Sequence, residues 1–313
     1  VKVAAVDLGM NSAKLLVTDG VTEQRAAVTV RLGEGLRGSG EIQIAALGRT
    51  LEALRGFVPA IEASGAERVV AVTTAPARAG ANREQFLDAV NGVLGVRPVV
   101  LSGGQEARLA YRGARIGLPT ADTTPLVIDI GGGSTEFAVE YAGTLQSASL
   151  DVGALMLTES YLRSDPPRAE ELSNAIGHVA DYFDDLLRDV PALADPTSIV
   201  GSGGTIRTAG AVEIGRYDPH ELHGFWLSRD AAEDVFRTLA TERLDDRVHN
   251  PGLHADRAPI IVGGMCVLVA ILRRLRVEGV TVSYRGVVDG VCASLLDGTW
   301  GTLTADGGTG GDS

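Results

Sequence analysis

The chain opens on an apolar run, residues 1–7, that ends in Asp7, followed by a turn over 9–12 and a second apolar run over 14–18. This pattern predicts two strands joined by a tight turn, with a third strand over 24–32. A glycine-punctuated loop covers 31–36. Leu47, Leu51, Leu54 and Val58 then recur at helical spacing and predict a helix over 43–64, with Pro59 weakening its last turns. Val69-Val70-Ala71-Val72 predicts a central strand over 68–73, and residues 73–78 a loop at its C-terminal end, where open α/β sheets bind ligands. A helix over 84–94 and a strand over 96–101 come next. Ser102 with Gln105 three residues later forms a capping-box signature for a helix running to about 115.

The same order then starts again. Residues 121–125 are the expected boundary, followed by a strand, a glycine turn, a strand, a turn at Gly143-Thr144 and a third strand over 145–150. Prolines 166 and 167, with Glu170 and Glu171 behind them, start a helix that runs to about 188. A short strand over 198–200 leads to a third glycine turn, 201–205, opening a helix with Arg207 in its first turns. Residues 222–227 read as strand or loop before a helix from 229. An apolar helix is expected from 254 to 272, a strand over 279–283 and a last helix over 286–296. Residues 302–313 are rich in Gly, Asp and Ser and are expected to be disordered.

The two hairpins align without a gap: residues 6–15 on residues 128–137. Asp7 falls on Asp129, Gly9 on Gly131 and Ser12 on Ser134, while Lys14 takes the place of Glu136. Glycines let backbone N–H groups approach an anion without Cβ obstruction. An aspartate at a strand end can meet a hard cation such as Mg²⁺ through water. Two such turns this far apart imply two similar domains facing one phosphate-bearing ligand.

Length and charge narrow the field. At 313 residues the chain suits two domains, residues 1–120 and 121–300, with a tail over 301–313; the last helix is placed to pack back on the first. A net charge of −12 argues against general nucleic-acid binding, and Lys2 and Lys14 are the only lysines. No Gly-Lys-Ser/Thr occurs, so a nucleoside-triphosphatase P-loop is excluded. The two cysteines, Cys266 and Cys292, read as buried free thiols of a reducing compartment. The longest apolar run, 260–272, is too short to span a bilayer, and no signal peptide is visible, so a cytoplasmic protein is expected.

Glu106 lies in the first turn of its predicted helix, where an acid simply complements the helix dipole. Taken singly, Arg207 and Arg257 read as surface or salt-bridge residues, and His223, His249 and His254 as structural or capping residues. Arg78 and Lys14 stand beside strand-end loops facing the expected cleft. No Gly-x-Ser-x-Gly elbow is present to support a serine hydrolase.

Together these residues give a resemblance. Asp7-Leu8-Gly9 with Asn11-Ser12, the 31–36 loop, Ser102-Gly103 with Glu106-Ala107-Arg108-Leu109, the run from Asp129 to Glu136, Gly203-Gly204-Thr205, His223-Gly224 and Asp256-Arg257 occur in one order. In this the chain is similar to the exopolyphosphatase and guanosine pentaphosphate phosphatase family, in its short, two-domain form. The resemblance implies an α/β fold of two ribonuclease-H-like domains, as in the acetate-kinase, sugar-kinase, heat-shock ATPase and actin superfamily. It implies a cleft between them that depends on Mg²⁺ (or Mn²⁺). Glu106 falls on the catalytic glutamate. Phosphate-binding roles fall on Gly9, Asn11, Ser12, Lys14, Arg78, Gly131, Gly132, Gly133, Ser134, Gly203, Gly204 and Thr205, and metal-binding roles on Asp129, Glu136 and Asp7. The implied substrates are inorganic polyphosphate and guanosine penta- or tetraphosphate, with no nucleic-acid or membrane partner; a homodimer is compatible. The chain departs from the family pattern at Met10, Gln105 and residues 286–290, and Arg78 arrives one residue late. Two other readings stand beside hydrolysis: a regulatory protein that binds guanosine alarmones with little turnover, and another ATPase or kinase of the superfamily.

Overall fold

The computed structural model describes residues 1–119 and 124–304 and contains two sheets built on one plan. The first is formed by β1 (Val3–Leu8), β2 (Ser12–Thr18), β3 (Glu23–Thr29), β4 (Arg68–Thr73) and β5 (Val99–Val100), in the order β3-β2-β1-β4-β5. The second is formed by β6 (Leu126–Ile130), β7 (Thr135–Tyr141), β8 (Thr144–Leu150), β9 (Ile199–Ser202), β10 (Trp226–Ser228) and β11 (Gly279–Val282), in the order β10-β11-β9-β6-β7-β8. In each, an antiparallel meander continues into parallel strands through the meander's first strand. That is the expected pair of ribonuclease-H-like sheets. Every residue of β1 and β6 is buried, which explains why their sequences read as unbroken apolar runs; β3, mostly exposed, is an edge.

The Ile44–Ser64 helix covers one face of the first sheet through Ala46, Thr50, Ala53, Leu54 and Phe57, with Leu47 and Leu51 at the rim of the buried stripe. Burial of Leu54 and Phe57 contributes on the order of 2 kcal/mol each. Pro59 lies within the helix, which continues to Gly65, a cap in the left-handed conformation.

The Gly103–Ala114 helix has a double role. Leu109 and Ala110 pack with Val3, Ala5, Leu16 and Val72 of the first sheet. Ala107, Tyr111 and Ala114 pack with Val127, Ala138 and Val200 of the second. The Val287–Leu296 helix, from the far end of the chain, lies against β1 and β2 and against the Gly103–Ala114 helix. Glycines permit that close crossing: a Cβ on Gly113 would strike Gly286 O, and one on Gly290 would strike Leu109 O. The second sheet is otherwise covered by the Ala169–Asp189, Arg229–Thr241 and Ile261–Leu275 helices, whose apolar faces share one large core.

Several local expectations change. Residues 73–78 do not form an open loop; Ala75–Ala79 is one helical turn, started by Pro76, whose missing N–H costs nothing there. The strand expected over 96–101 shrinks to Val99–Val100. Residues 255–257 are a separate 3₁₀ turn, and the apolar helix begins at Ile261; Pro259, with no N–H to donate, lies in the break. Gly201 and Ser202 belong to β9 rather than to a turn. Residues 302–304 sit in the Trp300–Thr304 helix, and Gln105 donates to the carbonyl of Thr304 at 2.7 Å. The expected disorder of 305–313 and most of the boundary at 121–125 lie outside the described residues. Cys266 and Cys292 are buried free thiols, and burial pushes both up to about 12. Among the described residues no helix is long and apolar enough to cross a membrane.

Candidate active site

The two hairpin turns have the same backbone geometry. Gly9 N–H donates to Ser12 O at 3.1 Å, and Gly131 N–H donates to Ser134 O at 3.0 Å. Across the strands Asp7 faces Lys14, and Asp129 faces Glu136. The turns abut. The Met10 side chain lies against Gly132 and Gly133, and a Cβ on Gly132 would come within 3.0 Å of Met10 Cβ. Met10 therefore fills space that a smaller residue would leave open between the turns.

The register of β6 on β9 sets Asp129 opposite Ser202, whose hydroxyl donates to Asp129 Oδ2 at 2.7 Å. The next residue, Gly203, has φ 88°, and a Cβ there would sit 2.6 Å from Asp129 Oδ1. Only glycine fits without strain. The capping box of the Gly103–Ala114 helix closes as the sequence predicts: Ser102 Oγ accepts from Gln105 N at 3.3 Å, and Gln105 Oε1 accepts from Ser102 N at 2.8 Å. This fixes the first turn and aims Glu106 into the space between the sheets.

One cleft results. It is lined by Asp7, Gly9, Asn11, Ser12 and Lys14 of the first hairpin and by Asp129, Gly131, Gly132, Gly133 and Ser134 of the second. Glu106, Gly203, Gly204 and Arg257 also line it. Lys14 Nζ donates to Asp7 Oδ2 at 2.9 Å, so the first aspartate carries its own counter-charge into the cleft.

Three residues expected at the ligand are placed differently. Arg78 is not among the lining residues. Its Nη1 donates to Glu106 Oε2 and to Leu101 O, both at 2.9 Å, because the helical turn at 75–79 swings it toward the Glu106 carboxylate. Glu136 lies behind the lining, only 2% exposed, and accepts from Ser149 Oγ at 3.0 Å. Thr205 is buried in helix packing, where its side chain would meet any Cβ on Gly264. Among the described residues no three His, Cys, Asp or Glu are grouped to hold an ion, and of the expected ligands only Asp7 and Asp129 line the cleft.

Electrostatics single out the carboxylates. Burial pushes Glu106 up to about 7 against the opposing pull of Arg78, with Asp7 and Asp129 raising it further. Burial, then Glu106 and Asp129, hold Glu136 well above the ordinary carboxylate range.

Arg257, read from sequence as a surface residue, is a cleft residue. Its guanidinium packs over Gly204, where any Cβ would overlap it, and Nη2 lies 3.5 Å from Ser12 Oγ. Burial, reinforced by Arg207, lowers it to about 10, so it stays charged at neutral pH. No carboxylate lies in ion-pair range of it among the described residues. The available signal was the coincidence of Asp256-Arg257 with Gly203-Gly204, neither of which is informative alone.

The model of the Ppx/GppA phosphatase family matches residues 19–299. Exopolyphosphatase 2 of Mycobacterium tuberculosis is 34% identical, over 94% of this chain and 98% of its own length. A guanosine-5'-triphosphate,3'-diphosphate pyrophosphatase of Photobacterium profundum is 27% identical over 94% of this chain, which spans only 59% of that enzyme. Among solved structures, an exopolyphosphatase-like protein superposes with a TM-score of 0.91 at 29% identity, covering 95% of this chain and 99% of the other. The Aquifex aeolicus Ppx/GppA enzyme superposes with a TM-score of 0.77 at 28% identity, covering 94% and 99%. The chain belongs to the Ppx/GppA phosphatase family and is a phosphoanhydride hydrolase.

Proposed function

We propose that the protein releases terminal orthophosphate from inorganic polyphosphate or guanosine pentaphosphate by attack of water in the cleft between the two sheets. The observation that carries this reading is that Asp7, Asp129, Glu106 and both glycine turns line a single cleft. The M. tuberculosis and P. profundum relatives support it by the activities in their names.

In this reading the terminal phosphoryl group lies between the turns. Backbone N–H groups of 9–12 and 131–134 and the hydroxyls of Ser12 and Ser134 cradle its oxygens. Arg257 and Lys14, both lining the cleft, add positive charge. Glu106 accepts a proton from water as the water oxygen bonds to phosphorus and the bridging P–O bond breaks. The departing oxygen takes the electron pair and leaves with the rest of the chain. A pKa near 7 suits a general base at neutral pH, and Arg78 holds the carboxylate in one orientation. Asp129 and Asp7 fit Mg²⁺, which is commonly held by one or two carboxylates together with substrate phosphates. Bound there, it would offset charge on the phosphoryl oxygens.

The test is a phosphate-release panel over long polyphosphate, short polyphosphate and guanosine pentaphosphate, with and without Mg²⁺. Glu106→Gln should lower release at least about a hundredfold while leaving the circular dichroism spectrum intact. Undiminished turnover in that variant removes Glu106 from the chemistry.

A further inference from the structure

Glu106 is carried by the turn of its helix that is hardest to hold still. The Gly103–Ala114 helix opens on Gly103 and Gly104, and glycine loses more backbone freedom on ordering than any other residue. A stiffer residue does not fit at the first of these, because a Cβ on Gly103 would sit 2.4 Å from Ser149 Cβ. The turn that aims Glu106 therefore needs support from outside itself.

Gln105 brings that support. Its Oε1 accepts from Ser102 N–H at 2.8 Å and closes the capping box. Its Nε2 donates at 2.7 Å to the carbonyl of Thr304, the last of the Trp300–Thr304 helix, which has no donor within its own helix. A glutamate could close the capping box equally well but, ionised, has no hydrogen to offer Thr304. The partner segment is anchored in turn. Trp300 and Leu303 pack against the core that holds Leu101, Leu109 and Ala110. Asp297 Oδ1 accepts from Thr299 N–H at 3.1 Å and from its hydroxyl at 2.7 Å, and Asp297 pairs with Arg112 in the last turn of the Gly103–Ala114 helix. Residues 297–304 are thus tied to that helix at both ends, by a half-exposed ion pair at its last turn and by the buried Gln105 amide at its first. The ion pair contributes little, since solvent screens it.

We infer that Gln105 is a positioning residue for hydrolysis: through the Thr304 carbonyl it clamps the glycine-led turn to the Trp300–Thr304 helix and so holds Glu106 at its place in the cleft. The inference rests on the reading of Glu106 as the general base. The Trp300–Thr304 helix supplies no lining residue to the cleft, yet turnover depends on it. Substrate binding does not, because the two hairpin turns that cradle the phosphoryl group make no part of the clamp. The clamp therefore acts on the chemical step, where a small misplacement of the base is costly.

The test joins polyphosphate hydrolysis kinetics to hydrogen exchange read by mass spectrometry, at about pH 8, where a glutamate at position 105 is ionised. Gln105→Glu keeps the capping box and removes the bond to Thr304; Trp300→Ala unseats the helix that carries Thr304. Each should lower kcat about tenfold with KM within about twofold of wild type. Each should also speed exchange over 102–108 at least about fivefold, leaving the core strands protected. Combined, they should lose no more than the worse of the two, because one link is broken twice. Leu303→Ala is a milder second variant should Trp300→Ala fold poorly, with the same outcome expected. Wild-type kcat in Gln105→Glu assigns the role to the capping box alone and overturns the clamp. So does a loss in Gln105→Glu with none in Trp300→Ala and Leu303→Ala, or losses that multiply in the double variant. The two readings fail separately. Faster exchange over 102–108 in both variants, in a protein where Glu106→Gln turns over normally, sinks only the base reading. An inactive Glu106→Gln beside clamp variants of undiminished kcat sinks only the positioning role.

Discussion

The two aspartate-led hairpins share backbone, register and hydrogen bonds, yet they differ at one cross-strand position. In the first, Asp7 faces Lys14 and forms an ion pair with it; in the second, Asp129 faces Glu136, a buried acid held well above its ordinary range. The first hairpin therefore brings a charge-balanced pair to the cleft, and the second brings uncompensated acid. The duplicated scaffold supplies two anion-sized turns, and the residue at one position decides whether the aspartate carries a counter-charge.

The largest test of that asymmetry is a pair of isosteric changes. Asp129→Asn should lower phosphate release about a thousandfold and, on the proposed metal role, leave it insensitive to added Mg²⁺. Asp7→Asn should cost distinctly less, because Lys14 already offsets that carboxylate. Equal losses would break the distinction between the hairpins. Next in size, Lys14→Gln should raise KM for polyphosphate about tenfold with a smaller change in kcat, since a charged contact to the substrate is lost. Glu136→Gln should leave release within about threefold of wild type, because a protonated glutamate and a glutamine present nearly the same group. A large loss there would return Glu136 to the metal site.

The smallest effect is on stability. Glu106 has a folded pKa of about 7 against an ordinary 4.5. A raised folded value means that its stabilising contribution is complete below 4.5 and is lost as pH rises through about 7. Urea unfolding of the metal-free protein should accordingly show stability falling over that window, and Glu106→Gln should reduce the slope. Persistence of the full slope would place the perturbed titration on another residue.

Much of this was legible because the relevant residues act locally. Aspartate, glycine and hydroxyl positions in a hairpin are fixed by φ/ψ and register, so a gapless alignment of residues 6–15 on 128–137 carries real geometric content. The capping box at Ser102 and Gln105 is likewise local, and it places Glu106 correctly. What failed depends on tertiary packing. Arg78 turns toward Glu106 because Pro76 starts a helical turn where a loop was expected. Thr205 is taken up by contact with the Ile261–Leu275 helix, and Arg257 is brought to the cleft by a segment fifty residues beyond the glycines it covers. No window of sequence contains those contacts.

The crossing of the Gly103–Ala114 and Val287–Leu296 helices bears on how the molecule is made. A ribosome that has delivered residues 1–119 has produced β1, β2, β4 and the Gly103–Ala114 helix, but not the Val287–Leu296 helix that shares with it the cover over Val3, Ala5, Leu16 and Val72. Part of that face stays wet until residues 287–296 have emerged. The nascent amino-terminal half should therefore remain protease-sensitive during translation, and the two halves should gain protection together, in a single late step.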